Sequence, residues 1–170
     1  MRRILLSVVG AVLLALPGAA SAGSGRATYG FLVVRDAAGD GGRPVLVVVV
    51  QGFVLGSVTQ EARVDVYQLP SSAGEGGPQA AGPDVSRRSV RWRRFTGTEY
   101  SGSGFRFRAI GGAYRVVVRG SGVYLFAGGR GSAILRGSSL YPARDGEYSF
   151  SGAPFRSLPA RPLTHAIGAG

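Results

Sequence analysis

Phe105–Arg119 reads FRFRAIGGAYRVVVR, and its period decides the fold. Phe105, Phe107 and Ala109 alternate with Arg106 and Arg108, and the alternation resumes after two glycines through Tyr114, Val116 and Val118. Successive side chains of a strand point to opposite faces, so a period of two marks a half-buried β-strand. Gly111-Gly112 between the two halves predicts a hairpin turn, because glycine reaches positive φ without steric cost. Val45–Val58 (VLVVVVQGFVLGSV) is the most apolar run after the N-terminal segment. Its β-branched content argues for a strand, and Gly52 is placed to mark a bulge. Val45–Val50 is apolar on both alternating faces, as expected of a central strand covered on both sides or of one whose outer face meets a partner.

Further strands are predicted over Ala27–Arg35, Ala62–Leu69, Arg88–Phe95, Val123–Ala127, Ser132–Arg136 and Glu147–Phe150. Thr96–Gly104 and Gly128–Gly131 read as turns. Pro70–Ser86 holds four glycines and three prolines and predicts a long mobile loop, 70–86. The tail, 152–170, contains Pro154, Pro159 and Pro162, ends in glycine-rich sequence, and is expected to be extended or disordered. No stretch after Ala22 has helical periodicity. Eight or nine short strands with glycine-rich turns predict an all-β fold. The expected architecture is a single antiparallel β-sandwich or small β-barrel over 23–151.

The N-terminus has a different pattern. Arg2 and Arg3 precede the apolar stretch Ile4–Leu16, Pro17-Gly18 breaks it, and Ala20-Ser21-Ala22 has the small-residue spacing of a cleavage site. Residues 1–22 are therefore expected to be a signal peptide cleaved after Ala22. The exported chain would be secreted or held in the cell envelope, with no membrane span of its own. All 20 basic residues are arginine against nine acids, and neither lysine nor asparagine occurs. Both missing residues use A-rich codons, which points to a GC-rich bacterial gene.

Composition excludes several chemistries. With no cysteine and a single histidine, His165, the chain has no disulfide framework, no thiolate nucleophile and no multi-histidine metal centre. Neither a cofactor nor a metal is expected. Asp36, Asp40 and Gly41 fit three positions of a calcium loop, but Ala38 and Val47 stand where ligands are required. No GxSxG elbow occurs, and His165 lies in the tail, a poor platform for a catalytic base. Glu61, Asp65, Glu99, Asp145 and Glu147 are the available acids, and balancing nearby arginines is their expected role.

The densest charge is Arg87–Phe95 (RRSVRWRRF). On a strand, Arg91 and Arg93 would share a face with Ser89, opposite Val90 and Trp92. Arg106, Arg108, Arg115 and Arg119 alternate in the same way, so pairing of these strands would give an arginine-bearing sheet face. Guanidinium forks bind phosphate and carboxylate in bidentate fashion. Arg87, Arg88, Arg91, Arg93, Arg94, Arg106 and Arg108 are thus the candidate anion-binding residues, with Trp92 and Phe95 available for stacking. The expected partner is an anionic cell-envelope polymer or surface, without specific nucleic-acid recognition, and the expected role is non-enzymatic. The alternative is a small cofactor-free β-barrel enzyme using Glu147, Tyr148 or Tyr114 in a cavity.

Overall fold

The structure is a computed structural model that describes residues 29–35, 44–70, 77–137 and 145–168. The predicted signal peptide and the partial calcium-loop match at Asp36, Asp40 and Gly41 lie outside the described residues. Within them the chain is all-β, with eleven strands and no helix. The strands are β1 (Gly30–Arg35), β2 (Val45–Val58), β3 (Ala62–Gln68), β4 (Gln79–Ala81), β5 (Ser86–Trp92) and β6 (Phe95–Gly102). They continue as β7 (Phe105–Gly120), β8 (Val123–Arg136), β9 (Glu147–Phe150), β10 (Arg156–Ser157) and β11 (Leu163–Ile167). Every pairing is antiparallel. The order is β10-β9-β1-β8-β2-β7-β3-β6-β5, with β11 added to β8 and β4 to β7. No helix among the described residues is long and apolar enough to cross a membrane.

Eleven strands replace the eight or nine expected, and the differences have physical causes. Gly111-Gly112 does not turn the chain. β2 runs unbroken beside both halves of β7, pairing Gly52 with Gly112 and Phe53 with Ile110. Gly111, at φ 76°, is the extra residue of a bulge. The inward set of β7 therefore switches from Phe105, Phe107 and Ala109 to Tyr114, Val116 and Val118. The bulge expected at Gly52 is present, with its extra residue on the partner strand. Gly128–Gly131 likewise stays within β8, because β2 pairs along its whole length.

The expected loop and tail also carry strands. β4, inside 70–86, pairs with Arg106–Arg108, and the Tyr100 hydroxyl donates to the Pro78 carbonyl at 2.7 Å. Residues 71–76 of that loop lie outside the described residues. The tail is extended and docked rather than loose: β11 pairs with Gly131–Leu135, and Leu158 and Ile167 are buried. Thr96–Gly104, expected to be turn-rich, supplies most of β6.

A row of glycines crosses the sheet where the long strands change partners. Gly30, Gly129, Gly52 and Gly112 are in register across β1, β8, β2 and β7. A Cβ on Gly52 would lie 2.2 Å from the Gly128 carbonyl oxygen, and one on Gly129 would lie 2.1 Å from that of Gln51. Only glycine permits such an approach, and φ values of 152° and 136° disfavour any side chain there. The three long strands thus serve two half-sheets. One half carries β9, β1, the first part of β8, the second part of β2, the first part of β7, and β4. The other carries β11, the remaining parts of β8, β2 and β7, and then β3, β6 and β5. Strands that change sheets at such bends are the corners of folded-over β architectures.

The inner faces of both halves meet in one core. Leu32, Val54, Phe105 and Leu125 come from the first half, and Leu46, Val48, Val64 and Val116 from the second. Val45, Val47 and Val49 on the outer face of β2 are half-buried between β7 and β8, so the apolar run is that of a central strand. Gly129→Ala is expected to lower stability by about 2–4 kcal/mol, from backbone strain plus overpacking. Gly111→Asn, with nothing within 4 Å of the new Cβ, should cost at most about 1 kcal/mol. Chemical denaturation of the two variants checks the contrast.

Candidate functional site

β3, β6 and β5 form the outer edge of the second half-sheet, and their outward side chains divide into an ionic row and an aromatic row. In the ionic row Asp65 pairs in register with Glu99, and Glu99 with Arg88. Both carboxylates are buried. Two acids side by side are tolerated because arginines enclose them. Arg88 donates to Glu99 Oε2 at 3.0 Å, Arg63 Nε lies 3.2 Å from the same oxygen, and Arg119 donates to Asp65 at 2.7 Å. Burial alone would raise the Glu99 carboxyl. The Arg88 hydrogen bond and the Arg63 and Arg88 charges outweigh it and hold Glu99 below the usual carboxylate range.

The aromatic row lies beside it. Gly97 leaves the sheet surface bare, and the Tyr67 ring covers the gap: a Cβ on Gly97 would sit 2.5 Å from Tyr67 Cδ1. Trp92 follows, with its ring centroid 6.0 Å from Tyr67 and stacked on Phe95 at 5.6 Å. Arg115 of β7 reaches over this platform, its Cζ 4.1 Å from the Trp92 ring centre and 5.6 Å from that of Tyr67. Burial pulls the Arg115 guanidinium below the usual arginine range and pushes the Tyr67 phenol up.

Arg93 and Arg94 form the two-residue turn joining Trp92 to its partner Phe95. Arg93 has φ 54°, and the positive φ at the first central residue alone is the sign pattern of a type II′ hairpin, where glycine is usual. Holding an arginine there costs about 1 kcal/mol. β3 pairs only with Gly97–Gly102 of β6, so Arg91–Thr96 projects beyond it as a two-stranded tip. Arg93 lies 5.1 Å from the Trp92 ring and Arg94 5.4 Å from the Phe95 ring.

The seven candidate arginines do not share one face. Arg88 points outward and is ion-paired, whereas Arg87 and Arg91 point to the opposite side of β5 with Ser89. Arg93 lies in the turn rather than on the Arg91 face, because the strand ends at Trp92. Arg106 and Arg108 lie on the first half-sheet, across the glycine bend, with Arg108 donating to Gln79 at 2.7 Å. The tip brings Arg93 and Arg94 beside Trp92 and Phe95, with Arg91 on the reverse face of the same hairpin. No ion pair to these arginines or to Arg115 occurs among the described residues. Tyr67 is the site residue that the sequence reading missed, and its signal was the cross-strand pairing with Gly97.

The remaining candidates are engaged elsewhere. Glu147 is held by Arg35 at 2.6 Å on the outer face, while its neighbour Tyr148 lies in the core. Consecutive strand residues face opposite ways, so the two do not line one cavity. Tyr114 is buried and donates to the Ile110 carbonyl at 2.9 Å. His165 is on β11 and not in a loose tail, its ring 4.3 Å from that of Phe150. No cluster of acids and histidine capable of holding a metal ion occurs among the described residues.

The fold and site together describe an all-β domain with an arginine-tipped aromatic edge. The chain matches no family model, no curated protein and no solved structure.

Because the folded protein lowers the Glu99 pKa, its ion pairs add stability above the ordinary carboxylate pKa of 4.5. That stability is lost as pH falls through the lower folded value. Glu99→Gln should therefore be less stable than wild type near neutrality by about 1–3 kcal/mol. The gap should narrow as pH falls from neutrality through the folded pKa, which a series of unfolding curves across the acid range would show.

Proposed function

We propose that the protein is an exported, non-enzymatic module of the envelope or extracellular space that binds an anionic polymer through the β5–β6 tip. The observation that carries this reading is the exposed pair Arg93 and Arg94 beside Trp92 and Phe95, with exposed Arg91 on the reverse face of the same tip, all three unpaired with any acid among the described residues. Guanidinium forks grip phosphate, sulfate or carboxylate groups, and the stacked rings offer a flat face to sugar or base rings. The full chain's net charge of +11 falls to +9 when Arg2 and Arg3 leave with the signal peptide, and this excess still favours encounter with a polyanion. Export rests on the signal-peptide pattern of residues 1–22. Mass spectrometry of the exported species should find an N-terminus at Gly23, and a species beginning at Met1 would contradict it.

Heparin, a sulfated glycan, serves as the probe. Wild type should be retained and elute in salt, while Arg91→Ala/Arg93→Ala/Arg94→Ala should elute substantially earlier. Unchanged elution would remove the tip from the binding site. Arg93→Gly separates binding from fold. Glycine relieves the positive-φ strain and should raise stability by up to about 1 kcal/mol, yet heparin retention should fall. A role confined to the fold would move stability and leave retention unchanged.

A further inference from the structure

The outer face of the first half-sheet is apolar where a solvated strand face would be polar. Along one row Phe31, Gly128, Phe53 and Ile110 stand side by side across β1, β8, β2 and β7. The next row runs Val33, Phe126, Leu55, Arg108, Gln79, and the third Arg35, Tyr124, Ser57, Arg106, Ala81. Phe31 is 45 % exposed, Ile110 48 %, Tyr124 50 % and Leu55 36 %. Phe126 ties the rows together, its ring centroid 5.2 Å from Phe53 and 6.1 Å from Phe31. A trough of about 400 Å³ is lined by Leu55, Gln79, Ala80, Arg106, Phe107 and Arg108.

We infer that this face docks onto the surface of an anionic lipid bilayer. The rings and aliphatic side chains would enter the headgroup and upper acyl region, and Arg106 and Arg108 would meet lipid phosphates. Three observations favour this occupant. Across β9, β1, β8, β2, β7 and β4 the one acid of these rows, Glu147, is neutralised by Arg35, which leaves Arg106 and Arg108 without an acid partner among the described residues. The face therefore complements a negative partner. The exposed positions of this face offer a second copy of the chain no acid free to pair with Arg106 and Arg108, because Glu147 is held by Arg35. Exposed aromatic rings beside arginines on one broad face are the composition that settles at a membrane interface, where each basic side chain adds attraction to anionic lipid. This surface lies across the glycine bend from the β5–β6 tip and does not depend on the polymer-binding reading.

Co-flotation of the full chain with vesicles tests it, comparing mixed phosphatidylglycerol/phosphatidylcholine with pure phosphatidylcholine in moderate salt. At least tenfold stronger partitioning onto the anionic vesicles is expected. Leu55→Ser/Ile110→Ser/Tyr124→Ser should reduce it at least tenfold, and so should Arg106→Ala/Arg108→Ala. Arg136→Ala, at the exposed end of β8 away from both surfaces, should change it less than twofold. Ile110→Ser alone, at the most exposed aliphatic position, should give a smaller loss in the same direction. Circular dichroism confirms that each variant is folded. Wild-type partitioning equal on both vesicle types would overturn the inference. So would a triple serine variant that binds like wild type, which would show adsorption by charge alone. A dimer in sedimentation that the triple variant abolishes would assign the face to a self-interface and overturn it equally.

Discussion

Cβ atoms at Gly52 and Gly129 would each lie about 2 Å from a carbonyl oxygen of the neighbouring strand, and one at Gly131 would lie 1.9 Å from that of Val49. The rest of the molecule depends on this closeness. At these positive-φ positions a Cβ would point into the backbone of the partner strand, so only glycine lets β2 and β8 keep an unbroken ladder through this row. The bulge at Gly111 compensates in β7 by adding one residue and switching its inward set. Without the bend, β2, β7 and β8 would form one flat sheet with an uncovered apolar face. With it, Val48 and Leu125 share a single core.

The same bend separates the two surfaces. Arg106 and Arg108 precede the bulge and Arg115 and Arg119 follow it. Four arginines on one strand therefore reach different half-sheets and different neighbours. Before the bend they border aromatic and aliphatic rows. After it, Arg119 neutralises Asp65, and Arg115 stacks on Trp92. Acid is concentrated in the second half-sheet, where Asp65 and Glu99 absorb Arg63, Arg88 and Arg119. Charge in excess of the acids remains at the β5–β6 tip and beside the trough.

Much of the fold was legible in the alternation of FRFRAI, AYRVVVR and ARVDVYQL, because a period of two is a local property of each strand. Glycine was misread in a consistent direction. Gly111-Gly112 and Gly128–Gly131 have the chemistry of turns, but a continuous partner strand made one a bulge and the other a bend. Local preference tolerates either outcome, and the pairing of β2 along the full length of both neighbours chose between them. β4, β10 and β11 are short, proline-flanked or weakly alternating, and they become strands by pairing with an edge already formed. Of the candidate site, Trp92, Phe95 and the flanking arginines were visible as a charge run. Their division between two faces and a turn was not, because a strand ending at Trp92 rather than Phe95 changes where Arg93 points.

The sequence by itself determined the strand class, the inward and outward parity of the alternating strands, the arginine-only basic charge and the chemistries that a chain without cysteine and with one histidine excludes. These follow from residue type and from a repeat of two residues, which need no distant contact. Only the tertiary structure decided which glycines bend rather than turn. It also decided that Arg88 is neutralised while Arg91, Arg93 and Arg94 are free of acids among the described residues, and that the two arginine groups stand on different half-sheets. Each of these depends on which strand lies beside which and in what register, and register is settled by partners far apart in the chain.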